Sequence, residues 1–438
     1  MLDGFANAPR VPELRKRLLF TAVAMAVYRL GVWIPTPGID GQALSDYFQQ
    51  IQGIVDLVNV FSGGALERFS IFALGIMPYI SSSIILQLLT VVIPHLERLS
   101  KEGELGRRKI TQYTRYGTVG LALMQGLFIS IGLESIEAPG GGGGVVYEPG
   151  WSFRLMAMVT LTTGTAFLMW LGEQVTERGI GNGISLIIFA GIVAQLPSAI
   201  VQTLEFVRLG EMSIFAAIFI GVLAVTTVGA VIFIERGQRR IPIQHAKRTV
   251  GRKVYASQST HLPLKVNTAG VIPPIFASSL LLFPATIAGF MPDNPIAATI
   301  NEYLDFGSVL YNLTYVGLII FFCYFYTAVT FNPVDVAENL KKVGAYIPGI
   351  RPGQRTADYI DRVLTRITLP GAIYVSIVCV LPTILITQFR GVSFFFGGTA
   401  LLIVVGVALD TIAQIETHLI SRSYEGFMKR GRIRGRRS

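Results

Sequence analysis

The stretch Ala73-Leu74-Gly75-Ile76-Met77-Pro78-Tyr79-Ile80-Ser81-Ser82-Ser83-Ile84-Ile85-Leu86-Gln87-Leu88-Leu89-Thr90-Val91-Val92-Ile93 decides the fold class. No residue in it is charged. A bilayer core of ~30 Å takes about 20 mostly apolar helical residues, and residues 71–93 supply that length. Working outward on the same basis gives ten candidate spans: 18–34, 71–93, 113–133, 153–171, 183–203, 213–235, 269–290, 309–330, 368–388 and 394–413. The fifth and seventh are the least regular, because glycine, proline and serine interrupt them. The expected fold is an all-α integral membrane protein of about ten transmembrane helices.

Composition agrees. Of 438 residues, 51% are hydrophobic and 15% charged, against roughly 25% charged in soluble domains, and the mean hydropathy is +0.55. The two cysteines, Cys323 and Cys379, lie inside apolar runs, and the four histidines are scattered. That pattern suggests neither a disulfide framework nor a metal site. Arg15, Lys16 and Arg17 imitate the basic start of a signal peptide. The run Leu18 to Ile34 is long enough to span, however, and no small-residue cleavage site follows it. The first span is expected to be retained.

The net charge of +10 reads first as topology. Lys and Arg concentrate in cytoplasmic loops. One side collects the N-terminus, the segments near 94–115, 172–182, 236–268 and 331–367, and the C-terminal tail. That side holds 32 of the 37 Lys+Arg. The opposite loops hold four, Arg68, Arg154, Arg208 and Arg390, with 12 Asp+Glu. Both termini are therefore expected in the cytoplasm. The basic tail from Lys429 to Arg437 has two readings, a contact with anionic lipid or ribosomal RNA and a solvated positive-inside anchor.

Ten spans divide near residue 205 into halves of five, residues 1–205 and 206–438. An odd number per half gives the halves opposite orientations, so a duplication would be an inverted repeat. The second span of each half carries the evidence. At a constant offset, Gly75 matches Gly270, Pro78 matches Pro273, Ile80 matches Ile275, Ser83 matches Ser278 and Leu86 matches Leu281. Proline at membrane depth frees backbone groups, which are tolerated against protein or a water-filled cavity. Ser81, Ser82, Ser278 and Ser279 allow close helix approach. A gate between the halves and ordinary tight packing are compatible readings of this pattern.

An energy source is not visible. The spans are nearly free of ionisable side chains, which ion-coupled transporters keep near the midplane. Arg29 lies late in the first span, where it can snorkel outward, and Asp410 lies near the cytoplasmic end of the last. There is no phosphate-binding loop, and the run Gly140 to Gly144 reads as a flexible linker. No cofactor and no catalytic residue are expected. The remaining classes are a passive conduit, a secondary transporter and a non-conducting scaffold. A conduit can seal by dewetting an apolar constriction. Ile80 with Ile84, and Ile188 with Ile192, each one helical turn apart beside small residues, are candidate lining positions.

Several motifs are more specific. Phe61-Ser62-Gly63-Gly64-Ala65-Leu66 followed by Ala73 to Ile80, Gly106-Arg107-Arg108-Lys109, Thr176-Glu177-Arg178-Gly179-Ile180-Gly181-Asn182-Gly183, Gln258 to Lys265, and Pro348-Gly349-Ile350-Arg351-Pro352-Gly353 occur in order along nearly the whole chain. Together they resemble the SecY family, the channel-forming subunits of the bacterial Sec protein translocon. The resemblance implies a clamshell of two five-helix halves around an hourglass pore. It puts the pore ring on Ile80, Ile84, Ile188, Ile192, Ile275 and Ile403. It puts a movable plug on Phe61, Ser62, Gly63, Gly64, Ala65, Leu66, Glu67, Arg68, Phe69 and Ser70. A lateral gate would lie between the second and third spans and the seventh and eighth, with Ser83, Gln87, Ser278 and Ser279 on it.

The resemblance also implies function and partners. Such a chain translocates unfolded secretory polypeptides and releases membrane segments laterally into the plasma (inner) membrane. It works with the small subunits SecE and SecG, driven by the motor ATPase SecA or by the ribosome, on signal sequences and nascent polypeptides. Loops 236–268 and 331–367 would dock the motor and the ribosome, through Arg239, Arg240, Lys247, Arg248, Arg351 and Arg355. Arginine pairs bidentately with carboxylate or phosphate, so one surface suits both partners. Arg351 stands in a Pro/Gly-rich turn that would project it.

Overall fold

The computed structural model describes residues 11–50, 59, 62–136, 144–210, 212–245, 248–250, 253–255, 259–289, 303, 308–388 and 398–430. Each of the ten expected spans overlaps a helix, although residues 71–76 of the second run as turns and residues 290 and 394–397 lie outside the described residues. In chain order the helices are α1 (Pro12–Gly31), α2 (Gly41–Gln50), α3 (Met77–Val92), α4 (Pro94–Lys101), α5 (Glu104–Glu134), α6 (Trp151–Arg178), α7 (Gly183–Leu209) and α8 (Ile214–Glu235). They continue with α9 (Ile272–Gly289), α10 (Val309–Thr330), α11 (Pro333–Lys342), α12 (Gln354–Gln388) and α13 (Gly398–Arg430). Among the described residues, seven helices are long and apolar enough to cross a membrane, and α3 with α4 makes an eighth if that bent pair is one span. The bend between them is 100° and falls at Ile93–Pro94, where Pro94 opens the new helix.

The second span corrects one expectation. Pro78 and Pro273 do not interrupt their helices. Each is the second residue of its helix, α3 or α9, where no intrahelical N–H bond is lost and the fixed φ suits the first turn. Two residues before each helix stands a left-handed glycine, Gly75 with φ 57° and Gly270 with φ 65°. Glycine populates that region without a Cβ penalty. The constant offset seen in the sequence thus recurs in local geometry: left-handed glycine, helix start, proline.

Contacts group the chain into two compact units, Met1–Val201 with Leu282–Asp305 and Ile403–Ser438, and Gln202–Leu281 with Phe306–Leu402. In the first unit, ion pairs tie α5 to α6 toward both ends. Arg115 donates to Glu173 at 2.9 and 2.7 Å, and Arg154 donates to Glu134 at 3.0 and 2.6 Å. A small residue also brings α3 close to α5. Ser82 on α3 donates to the Thr114 carbonyl at 2.9 Å, a close approach of the kind expected of that serine. The turn Gly179–Asn182 is clasped from two sides. Thr21 accepts from the Ile180 N–H at 3.2 Å, and the Gly181 N–H donates to Gln414 of α13 at 2.8 Å. Leu14, Ile180 and Ile415 form an apolar cluster there.

Gly164 on α6 marks one of the closest approaches, since an added Cβ would overlap the Ile71 carbonyl oxygen. Gly164→Ala is therefore expected to destabilise the protein by about 1–3 kcal/mol, the usual cost of overpacking. Gly120, on the exposed face of α5, has open space around it, and Gly120→Ala is expected to be neutral or stabilising by up to about 1 kcal/mol. Thermal unfolding of both variants in detergent checks the pair; equal melting temperatures would remove the close packing at Gly164.

The second unit holds strands where the sequence suggested only loops. Strands β1 (Gln238–His245), β4 (Ser259–Lys265) and β5 (Ala345–Tyr346) form an antiparallel sheet in the order β4-β1-β5, and β2 (Arg248–Val250) pairs with β3 (Lys253–Tyr255). The reason is a short alternation. Ile241 and Ile243 point inward between exposed neighbours and join Leu264, Ile347, Ile360 and Leu364 in a buried cluster. Pro242 is tolerated because β5 pairs with β1 only at Gln244 and His245, leaving that edge free of ladder bonds at residue 242. The two large loops are thereby joined into one body.

Candidate functional site

The site is built around Asn59 and residues 62–76, which precede α3. Instead of continuing as helix, residues 63–76 run as successive turns. Gly63 and Gly64 have φ of 70° and 86°, which reverses the chain at little steric cost. Ser62, Ala65, Leu66, Phe69 and Ser70 are buried, while Arg68 is exposed with its guanidinium 3.5 Å from the Trp33 ring centroid. Leu66 and Phe69 pack with Ile129, Leu133, Phe153 and Leu161 of α5 and α6. Phe69 has φ 42°, the one positive value among described non-glycine residues. It is held there by a hydrogen bond from the Thr36 N–H to its carbonyl at 2.9 Å and a bridge between Pro35 and Ser70.

Three side chains from spans reach the other end of this segment. Tyr28 donates to the Ser62 carbonyl at 3.0 Å, Arg29 to the Gly63 carbonyl at 2.9 Å, and Gln195 to the Asn59 carbonyl at 3.1 Å. Arg29 thus reaches back to the main chain of Gly63. A carbonyl inside the same unit gives the guanidinium one hydrogen-bond partner, as polar groups in spans require. Sequence reasoning missed Tyr28 and Gln195. The available signal was a polar amide inside the apolar run 183–203, since such groups in spans call for a partner.

Gly63 lies flush against Gly191 of α7; a Cβ on Gly63 would come within 2.8 Å of the Gly191 Cα. Gly191 stands between Ile188 and Ile192, so the turn segment meets α7 at the level of two ring candidates. All six ring candidates are buried, none more than 6% exposed. Ile80, Ile84, Ile188, Ile192 and Ile403 belong to the first unit and Ile275 to the second. Of the gate candidates, Gln87 donates to Ser83 at 3.3 Å along α3, both half-buried. Ser278 and Ser279 are buried on α9, where Ser278 donates to the Ile275 carbonyl at 3.0 Å.

The basic residues of the loops lie in the second unit. Arg239 and Arg240 are exposed on β1, and Arg351 and Arg355 are exposed at the start of α12. The expected turn exists: Gly349 and Gly353 have φ of 80° and 109°, and Ile350 packs against the cluster beneath the sheet, leaving Arg351 outward. Phe61, Lys247, Arg252, Arg390, Gly140 to Gly143 and the tail beyond residue 430 lie outside the described residues, as does the side chain of Arg248 on β2.

These features define a multi-pass, predominantly helical membrane protein in which a folded-back turn segment packs against a span beside buried aliphatic positions. The chain belongs to the SecY family, whose model, SecY, matches residues 70–412. It is 55% identical over 427 residues to the protein translocase subunit SecY of Escherichia coli (strain K12), covering 97% of this chain and 96% of that one. Two solved structures share the fold, each covering 93% of both chains. One, on which the plug domain of the SecY protein was reported to stabilise the closed state of the translocation channel and maintain a membrane seal, has a TM-score of 0.65 at 18% identity. The other, Sec61 in the canine ribosome-channel complex from the endoplasmic reticulum, has a TM-score of 0.63 at 17% identity.

Proposed function

We propose that this chain is a protein-conducting channel of the plasma (inner) membrane, a passive conduit and not an enzyme. It passes unfolded secretory polypeptides across the bilayer and releases membrane segments sideways into lipid. The observation that carries this reading is the stacking of Gly63 on Gly191, between Ile188 and Ile192. It supports a plug formed by residues 61–70 that rests against the collar it seals. The collar is Ile80, Ile84, Ile188, Ile192, Ile275 and Ile403. Aliphatic side chains suit that role because they exclude water when closed yet offer a passing chain no strong binding site.

The charge asymmetry of 32 Lys+Arg against four supports cytoplasmic termini. It also puts the sheet and the Arg351 turn on the cytoplasmic side. The docking residues for SecA and for the ribosome are then Arg239, Arg240, Lys247, Arg248, Arg351 and Arg355; a ribosome as partner is in keeping with the canine Sec61 neighbour, which was solved in a ribosome-channel complex. SecE and SecG complete the complex. Ser83, Gln87, Ser278 and Ser279 line the lateral gate between the two five-helix halves.

Export of a signal-bearing precursor into proteoliposomes containing this chain, with SecE, SecA and ATP, tests the reading. Chain-dependent protection of the precursor from added protease is expected. Its absence with folded protein and active SecA would return the question to a transporter or a scaffold.

A further inference from the structure

We infer that Tyr28, Arg29 and Gln195 form a release latch that sets how often the body made by Asn59 and residues 62–70 leaves its seat; the inference rests on the reading of that segment as a plug. Two kinds of hydrogen bond meet here. Those inside the segment make it a small body of its own. Asn59 donates to Glu67 at 3.1 Å and accepts from the Glu67 N–H at 3.2 Å, Ser62 donates to the Asn59 carbonyl at 3.1 Å, and the Leu66 N–H donates to Ser62 at 3.3 Å. The body can therefore move without coming apart. The second kind fastens it to the spans, and there every donor is a side chain and every acceptor a main-chain carbonyl: Ser62, Gly63 and Asn59.

That division matters for a part that must be held and also let go. Carbonyl acceptors carry no net charge, so the Arg29 bond is weaker than a buried carboxylate pair would be. Glu67, the acidic side chain of this body among its described residues, is engaged by Asn59. Gly63 brings its carbonyl close enough only because neither it nor Gly191 has a side chain. A Cβ there would stand 2.7 Å from the Tyr28 hydroxyl. At the far end, the Thr36–Phe69 bond and the Pro35–Ser70 bridge tether the segment through main-chain contacts that the three side chains do not touch. The latch end and the tether end are thus separable, and the latch residues are positioning residues for the seal.

The test uses the complete complex in proteoliposomes, with Leu66→Cys as reporter, because Leu66 is buried in the closed seat and both native cysteines are buried. Tyr28→Phe keeps the ring and removes the donor; Gln195→Leu removes the amide. Each is expected to speed N-ethylmaleimide labelling of the reporter about three- to tenfold, the effect of one net hydrogen bond. The two together should multiply, with resting ion leak rising in parallel and the melting temperature unchanged. Deletion of residues 62–70 is measured alongside. If deletion raises leak but the double variant labels like the parent, the latch is wrong and the plug stands. If deletion leaves leak unchanged, the plug reading fails and the latch with it. If labelling accelerates only as far as it does in the Gly164→Ala variant, with a matching fall in melting temperature, general loosening accounts for the result and the latch is overturned.

Discussion

Replacing Ile80, Ile84, Ile188 and Ile192 together with serine is expected to raise resting ion conductance in planar bilayers on the order of tenfold or more, because a polar constriction wets where an aliphatic one does not. All four are buried in one unit, two on α3 and two on α7, and each pair is one turn apart. The substitution also removes apolar contacts, so a second variant separates the effects. Valine at the same four positions keeps the constriction dry while costing about 0.5–1.5 kcal/mol per site in packing. Leak from the serine variant with a tight valine variant identifies the four residues as the collar. Equal conductance in parent and serine variant would place the seal elsewhere.

Arg351→Glu is expected to lower SecA-driven export by an order of magnitude or more while leaving membrane insertion and melting temperature intact. Arg351 is exposed, and surface substitutions usually change stability by less than about 0.5 kcal/mol. The turn itself is fixed by glycines at 349 and 353 and by the Thr356 hydroxyl donating to the Arg351 carbonyl at 3.0 Å, a bond the side chain does not make. Charge reversal at a docking arginine loses the pair and adds repulsion, which commonly costs 2–5 kcal/mol at interfaces. Arg351→Lys should fall between, since an ammonium cannot make the bidentate fork. Export by the glutamate variant at the parent rate would remove Arg351 from the docking surface.

What could be read from the sequence follows from the range of the interactions involved. Spans depend on a local property, apolar length, and the helices appear where apolar runs predicted them. The match of Gly75-x-x-Pro78 to Gly270-x-x-Pro273 was legible as a repeat, but its role was misread, because proline in an apolar run reads as an interruption until the helix start is known to lie one residue before it. The sheet was not. Its inward alternation is only Ile241 and Ile243 around a proline, and its partners lie about 20 and 100 residues along the chain. The candidate site was legible where motifs name it and illegible where side chains meet carbonyls. A carbonyl has no letter of its own, so nothing in the sequence tied Tyr28 to Ser62 or Gln195 to Asn59.

The length of α12 has a mechanical side. Its 35 residues make a rod of ~52 Å, whereas the hydrocarbon core is only ~30 Å thick, so roughly 20 Å projects beyond it as unbroken helix. Ile360 and Leu364 bolt the sheet to that projecting end, and Arg351 stands three residues before the rod begins. A partner docked on the sheet would therefore push on the projecting arm, and Pro370-Gly371, where a ladder bond is lost and a helix bends most readily, mark where that arm gives way to the apolar one. A hinge of several glycines engineered near Asp361 would disconnect the two arms, leaving docking whole and its effect on the channel untransmitted.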